Sequence, residues 1–186
     1  NTQMPRISPV DTATAQGEAK SLLDAIQGGL GMVPNIFATM AHAPKALEGV
    51  LGLNKALGGG LLPAKLREQI ALTIAGANGC DYCASAHSAL GRGTGLSADE
   101  LALNLTGHSQ DPKTAAALDF VAKAVAERGR LGDSDLGALR AAGYSDGEIV
   151  EILAHIGLNI FTNYFNHIAD TAIDFPLVRA GAKAAA

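Results

Sequence analysis

At 186 residues the chain has room for one full hydrophobic core and would be crowded as two domains. Hydrophobic residues make up 48% and charged residues 17%. This excludes a disordered chain, and the apolar runs are too interrupted for a membrane span of about 20 residues. A formal net charge of -4, with no run of Lys or Arg, offers no electrostatic footprint for nucleic acid.

Apolar residues recur at three and four rather than alternating, and Ala and Leu abound, so the chain reads as all-α. Gly17 to Ile26 begins the helical pattern and a turn-rich Gly28 to Pro34 follows, with Pro34 opening a short helix through Met40. Pro44 starts a helix that ends at Gly58 to Gly60. Pro63 opens the next, which Asn78-Gly79 stops, so that Cys80 begins a new helix. Ser97-Ala-Asp-Glu100 and Ser145-Asp-Gly-Glu148 have the spacing of reciprocal capping boxes. Helices are expected from Pro112 to Arg128, from Ser134 to Ala142, and from Ser145 to about His167, before an alanine-rich tail. The start at Asn1 shows no charged segment followed by an apolar stretch, and a cytoplasmic location is the default expectation.

Shifted by 83 positions, the chain echoes itself: Glu68 meets Glu151, Cys80 meets Asn163 and Cys83 meets Asn166. The echo predicts an internal pseudo-repeat of two helix pairs packed face to face, with thiols only in the first.

Both cysteines stand in Gly79-Cys-Asp-Tyr-Cys-Ala-Ser-Ala-His87. On a helix, Cys80, Cys83 and His87 share one face. The helix N-terminus favours thiolate over thiol, and a low-pKa thiolate with a second thiol in reach is what two-electron redox cycling requires. That argument alone makes Cys80 the more acidic and more exposed sulfur. Two other readings stay open. A zinc site has three soft ligands here but lacks a recognisable fourth, since His42, His108, His155 and His167 are single. The three residues can also be ordinary core side chains.

The spacing of Glu68, eleven residues, Cys80-x-x-Cys83, three residues, His87 resembles the active-site motif of the alkylhydroperoxidase D-like (AhpD-like) proteins of the carboxymuconolactone decarboxylase superfamily. The runs LLPAKLREQIAL and NIFTNYFNHIADTAIDFP resemble its peroxidase-related branch. The resemblance implies an AhpD-like helical bundle, with residues 1–186 as a single domain and a motif core at about 44–105. It implies a homo-oligomer (dimer, trimer or hexamer), no membrane or nucleic-acid partner, and no metal or bound cofactor. The implied activity is thiol-dependent reduction of an organic hydroperoxide or hydrogen peroxide, with a thiol reductant closing the cycle. In that scheme Cys83 attacks the peroxide, Cys80 resolves it as a disulfide, and His87 with Glu68 relays protons through water. The chain departs from the best-known pattern at Tyr82, where a histidine stands just before the second cysteine. A phenol, with a pKa of about 10, does not take a proton near neutral pH. Alternatives are a lactone decarboxylase, which calls for basic residues that hold carboxylates, and a non-enzymatic zinc-binding or redox-sensing module.

Glu151, His155, Asn159 and Asn163, each four apart, form a polar ridge on the last helix. It either faces solvent or faces the cysteine helix and lines a pocket, which makes Tyr82, His155, Asn159 and Asn163 candidate substrate contacts. Phe161, Tyr164 and Phe165 read as core or interface anchors, and Ala84, Ala86 and Leu90 as the apolar wall of a modest pocket.

Overall fold

The structure is a computed structural model that describes residues 4–181; residues 182–186 of the alanine-rich tail lie outside the described residues. All regular structure among the described residues is helical: α1 Gly17–Leu30, α2 Asn35–Met40, α3 Pro44–Gly58, α4 Ala64–Asn78, α5 Asp81–Gly93, α6 Ala98–Leu105, α7 Pro112–Ala126, α8 Asp133–Ala141 and α9 Asp146–Ala169. None of these helices is long and apolar enough to cross a membrane.

Most boundaries follow from the expected punctuation. Pro44 and Pro112 sit in first turns, where a missing N–H costs no hydrogen bond. Ser145 and Glu148 bond reciprocally, as a capping box should. Ser97 does so in one direction only. Its hydroxyl accepts from the Glu100 N–H, but the Glu100 carboxylate is drawn to Gln69, Asn104, Ser109 and the Gln110 N–H instead. Four tertiary donors outweigh one local one. Helix α1 also departs from expectation by continuing through Gly28 and Gly29 to Leu30, and the stop is Gly31, at φ 74. Interior glycines cost a helix about 1 kcal/mol each, which the burial of Leu23 and Ile26 offsets.

The expected repeat of helix pairs is not present. Positions 147–176, the second copy, hold one unbroken 24-residue helix followed by a non-helical segment. The first copy is broken at Gly79, whose φ of 65 turns the chain into the left-handed region. The corresponding position holds Thr162, which continues the helix.

Helix α4 is the centre of the molecule, packed against α5, α6, α7 and α9. Its Ile70, Leu72, Ile74 and Ala75 are fully buried, the signature of a helix that is apolar nearly all round. A Cβ on Gly76 would stand 1.8 Å from the Leu105 carbonyl oxygen, so only glycine lets α6 end against α4. On one side α4 joins α7, α8 and α9 in an aliphatic core built on Ile70, Leu118, Val121, Leu139 and Ile152. A second cluster gathers Leu23, Ile36, Met40 and Leu47 of the first three helices around the two cysteines and Tyr82. The segment after α9 closes over that cluster: the Val178 N–H donates to Ser85 Oγ (2.9 Å), and Arg179 pairs with Asp81 (2.7 Å). The opposite face of α9 carries a row of exposed apolar side chains, Val150, Leu153, Phe161, Tyr164 and Ile168.

Candidate active site

The corner between α4 and α5 places the thiols. The Gly79 N–H donates to the Gly76 carbonyl and the Cys80 N–H to the Ala75 carbonyl (2.9 Å), the paired bonds of a Schellman ending. Cys80 is therefore the residue that leaves α4 and also the N-cap of α5. Its Sγ accepts from the Cys83 N–H at 3.3 Å, a sulfur in the place usually taken by a serine or aspartate oxygen. One turn on, Cys83 brings its own sulfur within 2.7 Å of Cys80 Sγ, and the two share a hydrogen bond. Both cysteines are free, and both are buried, at 1% and 3% exposure.

The two thiols differ in acidity. Its hydrogen bond with Cys83 holds Cys80 below the ordinary thiol value, with help from the Cys83 backbone N–H and the positive charge of His87, and burial opposes this. Cys83 is pushed well above that value by its bond with Cys80 and by burial, while the amides of Asn166 and Asn163 pull the other way. Asn166 Nδ2 donates to Cys83 Sγ at 3.3 Å.

His87, one turn beyond Cys83, bonds through Nδ1 to Glu68 Oε2 at 2.7 Å. A carboxylate only accepts, so Nδ1 carries the hydrogen and Nε2 is the nitrogen left for other work. Burial lowers the imidazole pKa, but the charge of Glu68 and its hydrogen bond outweigh burial, and the net shift is upward. Among the described residues no three His, Cys, Asp or Glu side chains are grouped to hold a metal ion.

A cavity of about 360 Å³ opens onto this constellation. Cys83, Glu68 and His87 form its reactive wall, and Ile36, Phe37, Val50, Leu158 and Phe175 make most of the remainder apolar. Cys80 does not line it. The end of a helix expected to expose Cys80 is covered instead by the second core cluster, so the more acidic sulfur is the less accessible one.

Residues 44–127, from the start of α3 through α7, match the model of the Carboxymuconolactone decarboxylase family. Over those residues, a little under half of its length, the chain resembles that family. Its α4–α5 corner, with Glu68, both thiols and His87, falls inside the matched span, whereas α9, which supplies Asn166, lies beyond it. Solved structures resemble the matched span together with its flanking helices. An alkylhydroperoxidase AhpD core from Ralstonia eutropha JMP134, an uncharacterized peroxidase-related protein, is 27% identical with a TM-score of 0.80, over 94% of this chain and 93% of that one. An uncharacterized peroxidase-related protein from Silicibacter sp. TM1040 is 26% identical with a TM-score of 0.78, over 92% and 94%. The debrominase Bmp8 is 25% identical with a TM-score of 0.75, over 90% and 91%. No curated protein matches the chain.

The structure brings together Cys83, His87, Glu68, Tyr82, His155 and Asn159 around one cavity. Asn163 stands apart from the lining, where its Oδ1 accepts from Asn78 Nδ2 at 3.1 Å. The ridge on α9 therefore faces inward, with Glu151 alone at its end accepting from the Leu61 N–H. Tyr82 is a tie between segments. Its hydroxyl accepts from the Ile36 N–H (3.2 Å) and donates to Asp174 Oδ1 (2.8 Å), and burial raises its pKa further from neutrality. Of the expected apolar wall, Ala86 and Leu90 line the cavity but Ala84 is fully buried elsewhere in the core. Phe161 and Tyr164 are exposed rather than core residues. Sequence reasoning missed Asn166 as a thiol contact and Arg67 as a cavity residue. Asn166 stands seven positions after Asn159, so extending the ridge by one step of three would have found it.

Proposed function

We propose that this protein is a thiol-dependent oxidoreductase that reduces hydroperoxides through a Cys80–Cys83 dithiol–disulfide cycle. The observation that carries the reading is that Cys83 forms part of a cavity wall with a second thiol 2.7 Å behind it. In this scheme the Cys83 proton passes to Cys80. The Cys83 sulfur then attacks the terminal peroxide oxygen. The O–O bond breaks, the departing oxygen leaves as alcohol, and Cys83 becomes a sulfenic acid. Cys80 attacks that sulfur and expels water, so two thiols and one hydroperoxide give a disulfide, an alcohol and water. The acidity order suits the return step. An incoming thiolate meets Cys83, the sulfur on the cavity, and Cys80 departs as the better leaving group because its pKa is lower. Glu68 orients His87 and keeps it charged beside the thiols.

The same electron balance supports a second reading, favoured by the apolar cavity wall and the likeness to a debrominase. A carbon–halogen bond on an activated aromatic ring is replaced by carbon–hydrogen, both thiols are oxidised to the disulfide, and hydrogen halide is released. A lactone decarboxylase gives the paired thiols no role.

For the assembly, we place a second copy of the chain on the exposed row of α9, where Phe161 and Tyr164 act as anchors. Reduced thiols and an active dithiol cycle suit the cytoplasm.

The test is intact mass and thiol titration of the reduced protein before and after one equivalent of cumene hydroperoxide. Rapid loss of both thiols and two daltons is expected, and Cys83→Ser abolishes the reaction. Persistent wild-type thiols with cumene hydroperoxide, together with halide release from a bromopyrrole, would move the assignment to the second reading. Turnover retained in Cys83→Ser would overturn the choice of attacking sulfur.

A further inference from the structure

Among the described residues, Arg67 is a cation on the cavity wall that belongs to no ion pair. Arg67 lines the wall beside Glu68, half-buried, and its Nη1 donates to the Leu57 carbonyl at 3.1 Å, at the last turn of α3. That bond holds the guanidinium in place and uses one of its five N–H donors. Among the described residues no carboxylate lies within ion-pair distance of it, because Glu68, its neighbour in sequence, is turned to His87. Adjacent residues on a helix do not face each other, so the two charges cannot satisfy one another. A second polar group is left open in the same cavity. His155 is 4% exposed and its Nε2 has no hydrogen-bond partner among the described residues. A partly desolvated guanidinium and an unpaired buried imidazole nitrogen are both costly without a ligand. Opposite them the walls are apolar, with Phe37 and Phe175.

We infer that the substrate is an amphipathic carboxylate: an apolar body against the aromatic wall, the reducible group at Cys83, and a carboxylate held by Arg67 with His155 Nε2–H as a second donor. At about 360 Å³ the cavity stands near the small end of ligand sites, about 300–1,000 Å³, which suits a single-ring or medium-chain acid. The inference rests on the cavity being the substrate site, and it deepens the proposed activity by naming the substrate class.

The test uses ligands that cannot be reduced, so that it is separate from peroxidase activity. Binding of 4-isopropylbenzoate and of 4-isopropylbenzyl alcohol to the reduced protein is measured by calorimetry and by shifts of the His155 ring resonances. The carboxylate is expected to bind about 10- to 100-fold more tightly than the alcohol, the range of a charge-assisted contact. Arg67→Gln should bring the carboxylate down to the affinity of the alcohol, and Arg67→Lys should keep part of the difference. Equal binding of the two ligands to the wild type, or a preference that survives in Arg67→Gln, overturns the inference. If the carboxylate binds as expected while cumene hydroperoxide leaves the thiols intact, the anion site stands and the peroxidase reading fails.

Discussion

Replacing Glu68 by Gln keeps the shape of the side chain and an oxygen for His87 Nδ1 but removes the charge 2.7 Å away. A charge-assisted hydrogen bond is worth about 1.5–3 kcal/mol and a neutral one about 0.5–1.5. The two side chains are 24% and 20% exposed, enclosed enough that solvent does not erase the difference. The loss is about 1–1.5 kcal/mol of imidazolium stabilisation, or roughly 5- to 12-fold. Burial, now opposed only by a neutral hydrogen bond and by the charge of Cys80, pushes the His87 pKa down. The imidazole is then neutral over more of the range near pH 7, and Cys80 loses the positive charge that helps hold its pKa down. Thiol ionisation therefore moves to higher pH. In a stopped-flow measurement of thiol oxidation by cumene hydroperoxide, Glu68→Gln should react roughly 5- to 12-fold more slowly at pH 7 and recover as the pH rises. The stability of the fold gives the same sign by a separate route. The raised His87 pKa stabilises the wild type fully below the unfolded value of about 6.5. That contribution disappears as the pH rises through the folded pKa, so Glu68→Gln should lose stability mainly in acid. A rate within twofold of wild type, with an unmoved pH profile, would refute the coupling of Glu68, His87 and the dithiol.

Asn166→Leu removes the N–H that Cys83 Sγ accepts, and it should slow oxidation about two- to tenfold without changing the disulfide product, as followed by the same stopped-flow trace. Tyr82→Phe leaves the Ile36 N–H and the Asp174 carboxylate without their shared hydroxyl. It should cost about 1–3 kcal/mol in a denaturant melt while the oxidation rate at saturating peroxide stays near wild type. A collapse of that rate would make the phenol part of the chemistry after all. Phe161→Glu places a charge in the exposed row of α9 and should shift the protein to monomers in light scattering at unchanged helicity.

The helices were legible because their punctuation is local: Pro44, Gly79, Pro112 and Ser145 each act through the backbone within a turn of themselves. The Glu100 carboxylate and the end of α1 were misread because donors and core contacts far along the chain decided them. The site divides the same way. Cys80, Cys83 and His87 were legible as one helix face, and the inward turn of His155 and Asn159 was one of two readings that spacing left open. No pattern within α5 indicates which sulfur is covered, since that depends on α1 to α3 and on the segment around Phe175. Arg67 escaped notice because an arginine beside a glutamate on a helix is unremarkable until the glutamate is seen to be engaged elsewhere.

Helix α9 presents Asn166 to a thiol from one side and its row of exposed apolar residues to the outside from the other. Twenty-four residues make a rod about 36 Å long. The contact it makes with Cys83 is 3.3 Å long. The helix whose outer face would carry a partner is thus the same one whose inner face holds a hydrogen-bond donor against the sulfur.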